Sequence, residues 1–293
     1  MVVEAGEVLG VLGPNGAGKT TAIRVLTTIL PASHGRFSVA GVPSSAPREI
    51  RRHIGVLPES AGYPERQTGT EYLTHHARLH GRTRAGARAI ARGLLDELGL
   101  LPWAGSLIAS YSRGMRQRLG IARALVNDPE VVFLDEPTLG LDPAGQRLVL
   151  GHVRRIASER GAAVLLSTHL LTEVEENCSR VLILNRGRAV AAGTVAEVVR
   201  RAAAPRSGRL QVVPEQAEHA AGLLARVAGI AHVTSDGRPG LLSIAFAPGA
   251  AHPDDVSLNT AVRALLDAGI GLISFELEGA RLSDAFLAMT EAA

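Results

Sequence analysis

At 293 residues the chain is long enough for two ordinary domains, and 46 % hydrophobic with 20 % charged residues is packed globular composition, not disorder. A net charge of +3 with scattered arginines and 3 % aromatic residues shows no basic stripe with interleaved rings, so charge alone points to no nucleic-acid partner. No apolar run approaches the roughly 18 residues of a membrane span, so membrane work, if any, must be done by a partner. The apolar start is broken by Glu4, Glu7 and glycines, unlike a secretory signal. The one cysteine, Cys178, excludes an internal disulfide and reads as a half-buried helix residue in a reducing compartment.

In chain order, Glu7–Leu12 reads as a buried strand, and Gly13-Pro14-Asn15-Gly16-Ala17-Gly18-Lys19-Thr20-Thr21 follows it. Thr20–Leu30 reads as a helix stopped by Pro31. Strand, loop and helix together match GxxxxGK[ST], the Walker A phosphate loop, in which glycines let backbone N–H groups curl around an anion. Lys19 is the only lysine of the chain, every other basic residue being arginine. A compact ammonium and a guanidinium fork are not interchangeable in a tight pocket. Lys19 is expected to reach the β- and γ-phosphates and Thr20 to ligate Mg²⁺. A phosphate loop alone does not choose among kinases, GTPases, helicases and transport ATPases.

Ile54-Gly55-Val56-Leu57-Pro58-Glu59 reads as a second strand. Thr70–His80 and Arg84–Leu98 read as helices with no strand between 60 and 113. His75, His76 and His80 raise a metal reading, but without an HExxH pattern or an acidic third ligand they read as a solvated helix face. Val131-Val132-Phe133-Leu134-Asp135-Glu136 is an apolar strand ending in two acids, at the edge where open α/β sheets bind ligands. Asp135 is placed to hold Mg²⁺ through water, and Glu136 to polarise an attacking water. The next apolar strand, Ala162–Leu166, leads into Ser167-Thr168-His169. Ala202–Gly208 reads as a linker. Beyond it strands at 209–213, 230–234, 241–246 and 270–276 alternate with helices at 215–228 and 256–268, with a turn at Asp236-Gly237.

Tyr111-Ser112-Arg113-Gly114-Met115-Arg116-Gln117-Arg118-Leu119 decides among the phosphate-loop proteins. Here the sequence resembles the ATP-binding subunits of ABC transporters, whose signature motif is commonly LSGGQ. Ser112 and Gly114 match it, and the departures look like the YSKGM form of ABC-2-type exporter ATPases. Pro137-Thr138-Leu139-Gly140-Leu141-Asp142-Pro143 resembles the family's D-loop, Ser167-Thr168-His169 its H-loop, and Ile54–Glu59 its Q-loop strand, with Glu59 where many members have glutamine. Leu282–Thr290 looks like the SLEDVFLxLT tail of the same exporter group.

The resemblance implies an α/β P-loop NTPase of RecA-like, mostly parallel sheet with an inserted helical subdomain at about 60–113. It also implies a nucleotide-binding domain over 1–204 and a small C-terminal α+β domain over 205–293, a dimer-stabilising or regulatory module. ATP and Mg²⁺ are the implied ligands: Gly13 to Thr21 cradle phosphate, Thr20, Asp135 and Glu59 serve the metal, and Lys19, Glu136 and His169 serve hydrolysis. Two copies would sandwich two ATP molecules head to tail. Ser112 and Gly114 would then point a helix N-terminus at the partner's γ-phosphate, and Asp142 would communicate between sites. The implied partner is a separate integral membrane permease, and the place is the cytoplasmic inner face of the membrane. Arg113 adds bulk and a donor fork where glycine is usual, and the carboxylate of Glu59 cannot donate as an amide does.

Family members ordinarily carry a further stretch ahead of this start, with an aromatic that stacks on adenine. Tyr63, Tyr72 and Tyr111 all follow the phosphate loop, and Met1–Glu7 looks like the middle of the family's first strand. The expectation is a start set too late, with a shortened domain as the alternative. Two other classes stay open: a soluble ABC ATPase acting on ribosomes or DNA, and a nucleotide-binding regulatory module that no longer turns over.

Overall fold

The strand expected ahead of the glycine-rich loop forms at Val8–Leu12 (β1) in the computed structural model, buried at every residue as a parallel strand covered on both faces must be. The structure describes residues 1–201, 207–235, 237–246, 256–278 and 282–291. The chain divides into two compact units, Met1–Val195 and Ala196–Ala293.

In the first unit β1 leads to α1 (Lys19–Leu26), the short hairpin β2 (Ser38–Val39) and β3 (Val42–Pro43), then α2 (Pro47–His53) and β4 (Ile54–Leu57). Three helices follow, α3 (Gly69–Leu79), α4 (Arg84–Glu97) and α5 (Arg113–Ala124). The chain then alternates through β5 (Val131–Asp135), α6 (Pro143–Arg160), β6 (Ala163–Thr168) and α7 (Leu171–Asn177) to β7 (Arg180–Asn185) and β8 (Arg188–Thr194). Helix α8 (Val195–Arg201) carries the division between units. The sheet order is β4-β5-β6-β1-β7-β8, parallel except for the antiparallel edge strand β8. Its core joins Leu9, Val11, Ile23, Ile50, Phe133 and Leu165.

Register decides where the site lies. Leu12 of β1 stands beside Thr168 of β6, and Asp135 of β5 beside Ser167. Three carboxyl ends therefore converge, and the segments leaving them carry the phosphate loop, Glu136 and His169. This is where ligands sit on open α/β sheets.

Helix α1 ends at Leu26, four residues before the expected stop. Thr28 adopts φ 62°, and Ile29 N–H donates to Arg24 O at 2.8 Å while Thr28 N–H donates to Val25 O at 3.0 Å. That is a Schellman closure with threonine in the left-handed position glycine usually takes. Met1–Glu7 forms no strand: Glu7 N–H closes a turn on Glu4 O at 3.1 Å, with Gly6 at φ 79°.

Helix α3 starts on a capping box, Thr68 Oγ1 accepting from Glu71 N–H at 3.1 Å and Glu71 Oε2 accepting from Thr68 N–H at 2.8 Å. His75 and His80 are exposed, as a solvated face requires, but His76 is not. Its ring packs edge-on against Tyr72 at 4.7 Å, because every third or fourth position of α3 turns inward. Burial first, and then the Arg123 charge, pushes its pKa down to about 4. Among the described residues no cluster of three or more ligating side chains could hold a metal. Cys178 closes α7 as its C-cap and is buried, with its thiol pushed up to about 12 by burial and then by Glu173.

The second unit contains β9 (Ser207–Val212), α9 (Ala217–Leu224), β10 (Ile230–Ser235), β11 (Leu241–Phe246), α10 (Val256–Asp267), β12 (Leu272–Glu278) and α11 (Leu282–Glu291). Its antiparallel sheet runs β10-β11-β9-β12. Alternate residues Leu210, Val212, Leu242, Ile244 and Phe246 face Ala220, Leu224, Ala261 and Leu265 of the helices. The helix expected over 215–228 is a 3₁₀ turn, Pro214–Gln216, followed by α9. Of the expected linker, residues 202–206 lie outside the described residues, and Ser207 and Gly208 open β9. Asp236 of the expected turn also lies outside them, and Gly237 has φ 71°.

Candidate nucleotide site

The loop after β1 folds as a phosphate cradle. Ala17 N–H donates to Pro14 O at 3.1 Å, and Gly16 and Gly18 adopt φ 79° and 101°, a region costly for any residue with a Cβ. Nothing lies within 4 Å of where a Cβ on Gly16 would stand, whereas one on Gly13 would meet Leu184 O at 2.5 Å. The floor of the cradle is thus packed and its mouth open. Gly18 is the N-cap of α1, so the loop amides and the helix N-terminus present positive charge to the same space. The turn after β7 braces the loop from below, Gly187 N–H donating to Ala17 O at 2.9 Å. That brace has no signature in the sequence.

Lys19 is 7 % exposed. Its Nζ donates to Gly13 O at 2.7 Å and stands 3.4 Å from Glu136 Oε1. On the other side His169 Nδ1 lies 2.8 Å from Glu136 Oε2. Glu136 adopts φ 49°, a strained conformation for a non-glycine residue, of the kind that collects at functional sites. Ser167 holds it there: Ser167 Oγ and Ser167 O both accept from Glu136 N–H at 3.1 Å, and the Ser167 hydroxyl donates in turn to Asp135 Oδ1. Sequence patterning missed Ser167, whose partners are about thirty residues away along the chain.

Pro14 to Thr21, Glu59, Glu136 and His169 line one cleft of about 470 Å³, together with Leu139. Asp135 is 2 % exposed and stands behind the cleft wall, while Glu59 is exposed at its rim. No phenylalanine, tyrosine or tryptophan lines it among the described residues. An open backbone cradle with an ammonium, a threonine hydroxyl and carboxylates fits a polyphosphate and a divalent cation.

A family model described as ABC transporter matches residues 1–139, and one described as an AAA domain matches residues 107–175. The daunorubicin resistance ATP-binding protein DrrA3 of Streptomyces coeruleorubidus is 38 % identical over 98 % of this chain and 88 % of its own. The chain belongs to the ATP-binding proteins of ABC transporters. The daunorubicin/doxorubicin resistance ATP-binding protein DrrA of Streptomyces peucetius is 43 % identical over 67 % of this chain, which spans 59 % of that relative. A solved ATP-binding subunit of an ABC transporter superposes with a TM-score of 0.61 at 33 % identity, covering 69 % of this chain and 84 % of its own.

The remaining ABC positions stand outside the cleft. Ser112 is the N-cap of α5, its Oγ accepting from Met115 N–H at 3.3 Å, with Gly114 in the first turn. Asp142 is the N-cap of α6, its Oδ1 accepting from Gly145 N–H at 3.0 Å. The two helix starts touch. The Arg113 guanidinium lies against Gly140, where any Cβ would meet its Cζ at 2.3 Å, and Leu141 Cδ2 would lie 3.8 Å from a Cβ on Gly114. Arg113 thus covers its own D-loop, a contact legible only once the fold places α5 beside residues 139–142.

Proposed function

We propose that this ABC protein hydrolyses ATP and couples ATP-driven dimerisation to export by a separate membrane-spanning permease. The observation that carries the reading is the placement of Glu136 between Lys19 and His169 at the mouth of the phosphate loop. The loop amides from Gly13 to Gly18 bind phosphate, and Lys19 leaves its carbonyl partner to meet phosphate charge. Glu136 accepts the proton of an attacking water, and His169 orients that carboxylate and contacts the γ-phosphate. Thr20, Asp135 and Glu59 are the oxygen donors that would hold Mg²⁺, which when bound neutralises phosphate charge. Thr21 and Asn15 complete the rim of the cradle.

Ser112, Gly114 and Asp142 stand outside the chain's own cleft, which supports their use on a nucleotide held by a second copy. We assign residues 1–204 to the nucleotide-binding domain, with its helical subdomain at about 60–113 meeting the permease, and 205–293 to a dimer-stabilising or regulatory module. The drug-resistance names of the relatives support a peripheral place at the cytoplasmic face of the membrane; among the described residues no helix is long and apolar enough to cross one. The names of the relatives support a small antibiotic or drug as cargo.

Glu136→Gln tests this reading through solution mass and turnover. The variant is expected to bind MgATP, to lose turnover by about 10²-fold or more, and to double its mass in MgATP. A variant that stays monomeric at saturating MgATP refutes the sandwich, and one that still turns over refutes the role of Glu136.

A further inference from the structure

We propose that the buried Glu173, acting through the hydroxyl of Thr168, is a positioning residue for His169; this rests on the ATPase reading above. His169 is not fixed by packing, its side chain being 40 % exposed. Its position depends on the backbone turn that leaves β6, and that turn is tied by one hydroxyl. Thr168 Oγ1 accepts from Leu170 N–H at 3.1 Å and donates to Glu173 Oε2 at 2.6 Å, so a three-residue loop closes around His169. Both anchors are out of water, Thr168 at 0 % and Glu173 at 4 % exposure.

Glu173 is an expensive way to build a helix. Its Oε1 is buried with no hydrogen-bond partner, and a buried carboxyl left half-satisfied costs stability that an apolar side chain would not. Its first turn of α7 has no side-chain cap for the carboxyl to replace, because Leu170 is the N-cap. Behind it Asn177 Nδ2 donates to Glu173 O at 2.8 Å and Asn177 Oδ1 accepts from Arg154, which fixes α7 on α6. The carboxyl therefore hangs from a rigid helix and reaches back to the one hydroxyl that shapes the His169 turn. Such a tether sets the distance from His169 to Glu136, to which transition-state stabilisation is sensitive.

The test separates hydroxyl from shape in the full-length protein. Thr168→Val keeps the shape and loses the hydroxyl; Thr168→Ser does the reverse. Thr168→Val is expected to lower kcat about tenfold with KM for ATP within about twofold, and Thr168→Ser to restore kcat. Glu173→Gln keeps an acceptor oxygen and is expected to stay within about threefold of wild type, while Glu173→Leu falls with Thr168→Val. Thermal midpoints of all four are measured alongside. A Thr168→Val or Glu173→Leu protein with wild-type kcat, or losses that follow the midpoint instead of the hydroxyl, overturn the positioning role. Absence of turnover in the wild type overturns the ATPase reading itself, so the two failures are told apart.

Discussion

Three consecutive side chains at the end of β6 each engage a different carboxyl group: Ser167 that of Asp135, Thr168 that of Glu173 and His169 that of Glu136. Ser167 has a second duty, because its Oγ accepts the amide of Glu136, the residue held at φ 49°. Removing the hydroxyl leaves the Glu136 amide held by Ser167 O alone and a buried acid short of one donor. Ser167→Ala is expected to cost about 1–3 kcal/mol in urea unfolding and to lower ATP turnover at unchanged nucleotide affinity. A variant as stable as wild type would show that the hydroxyl is idle. The placement of Lys19, Thr20, Asp135 and Glu136 was legible in sequence, because each sits in a short motif at a strand end. Ser167 and Glu173 were not, since their roles arise from side chains brought together across β5, β6 and α7.

Elements followed a similar division. Strands β1, β5 and β6 were legible because a strand buried on both faces must be apolar throughout. The end of α1 was not, because a threonine, not a glycine, takes the left-handed closing position. Helix α6 ends on the glycine that α1 lacks. Its last residue, Arg160, grips Glu97 at the end of α4 through Nε to Oε1 at 3.1 Å and Nη2 to Oε2 at 2.6 Å, and reaches Asp128 at 2.9 Å. Gly161 then closes the helix at φ 67° with open space around its missing Cβ. Gly161→Ala therefore meets no clash, and its cost isolates the backbone term. A loss of about 1 kcal/mol is expected in denaturant unfolding, with ATP turnover unchanged. A neutral result would mean that the α6 end shifts out of the left-handed region and that Arg160 alone fixes it.

For the whole molecule the consequence is a sensitivity to acid that net charge does not foretell. His152 of α6 is 5 % exposed, and its Nε2 is buried without a partner. Burial first, then the charges of Arg155 and Arg118 against a smaller opposing pull from Glu97, hold its pKa down at about 4. His76 on α3 is held at about 4 as well, chiefly by burial. Both must stay neutral in the fold, whereas in the unfolded chain they bind a proton near pH 6.5. Between those values the unfolded chain carries more protons, so stability rises with pH across the window. It is fully present above about pH 6.5 and drains as pH falls toward 4. At His152 the linkage is on the order of 2 kcal/mol once solvent screening is allowed for. The thermal midpoint is therefore expected to fall between pH 7 and pH 4.5. In His152→Met the fall is smaller, because methionine fills the space without a nitrogen to protonate, although it gives up the contact between His152 Nδ1 and the Arg155 guanidinium. A variant with the same acid slope as wild type would place the sensitivity elsewhere, in His76 or in the carboxylates paired around Arg160.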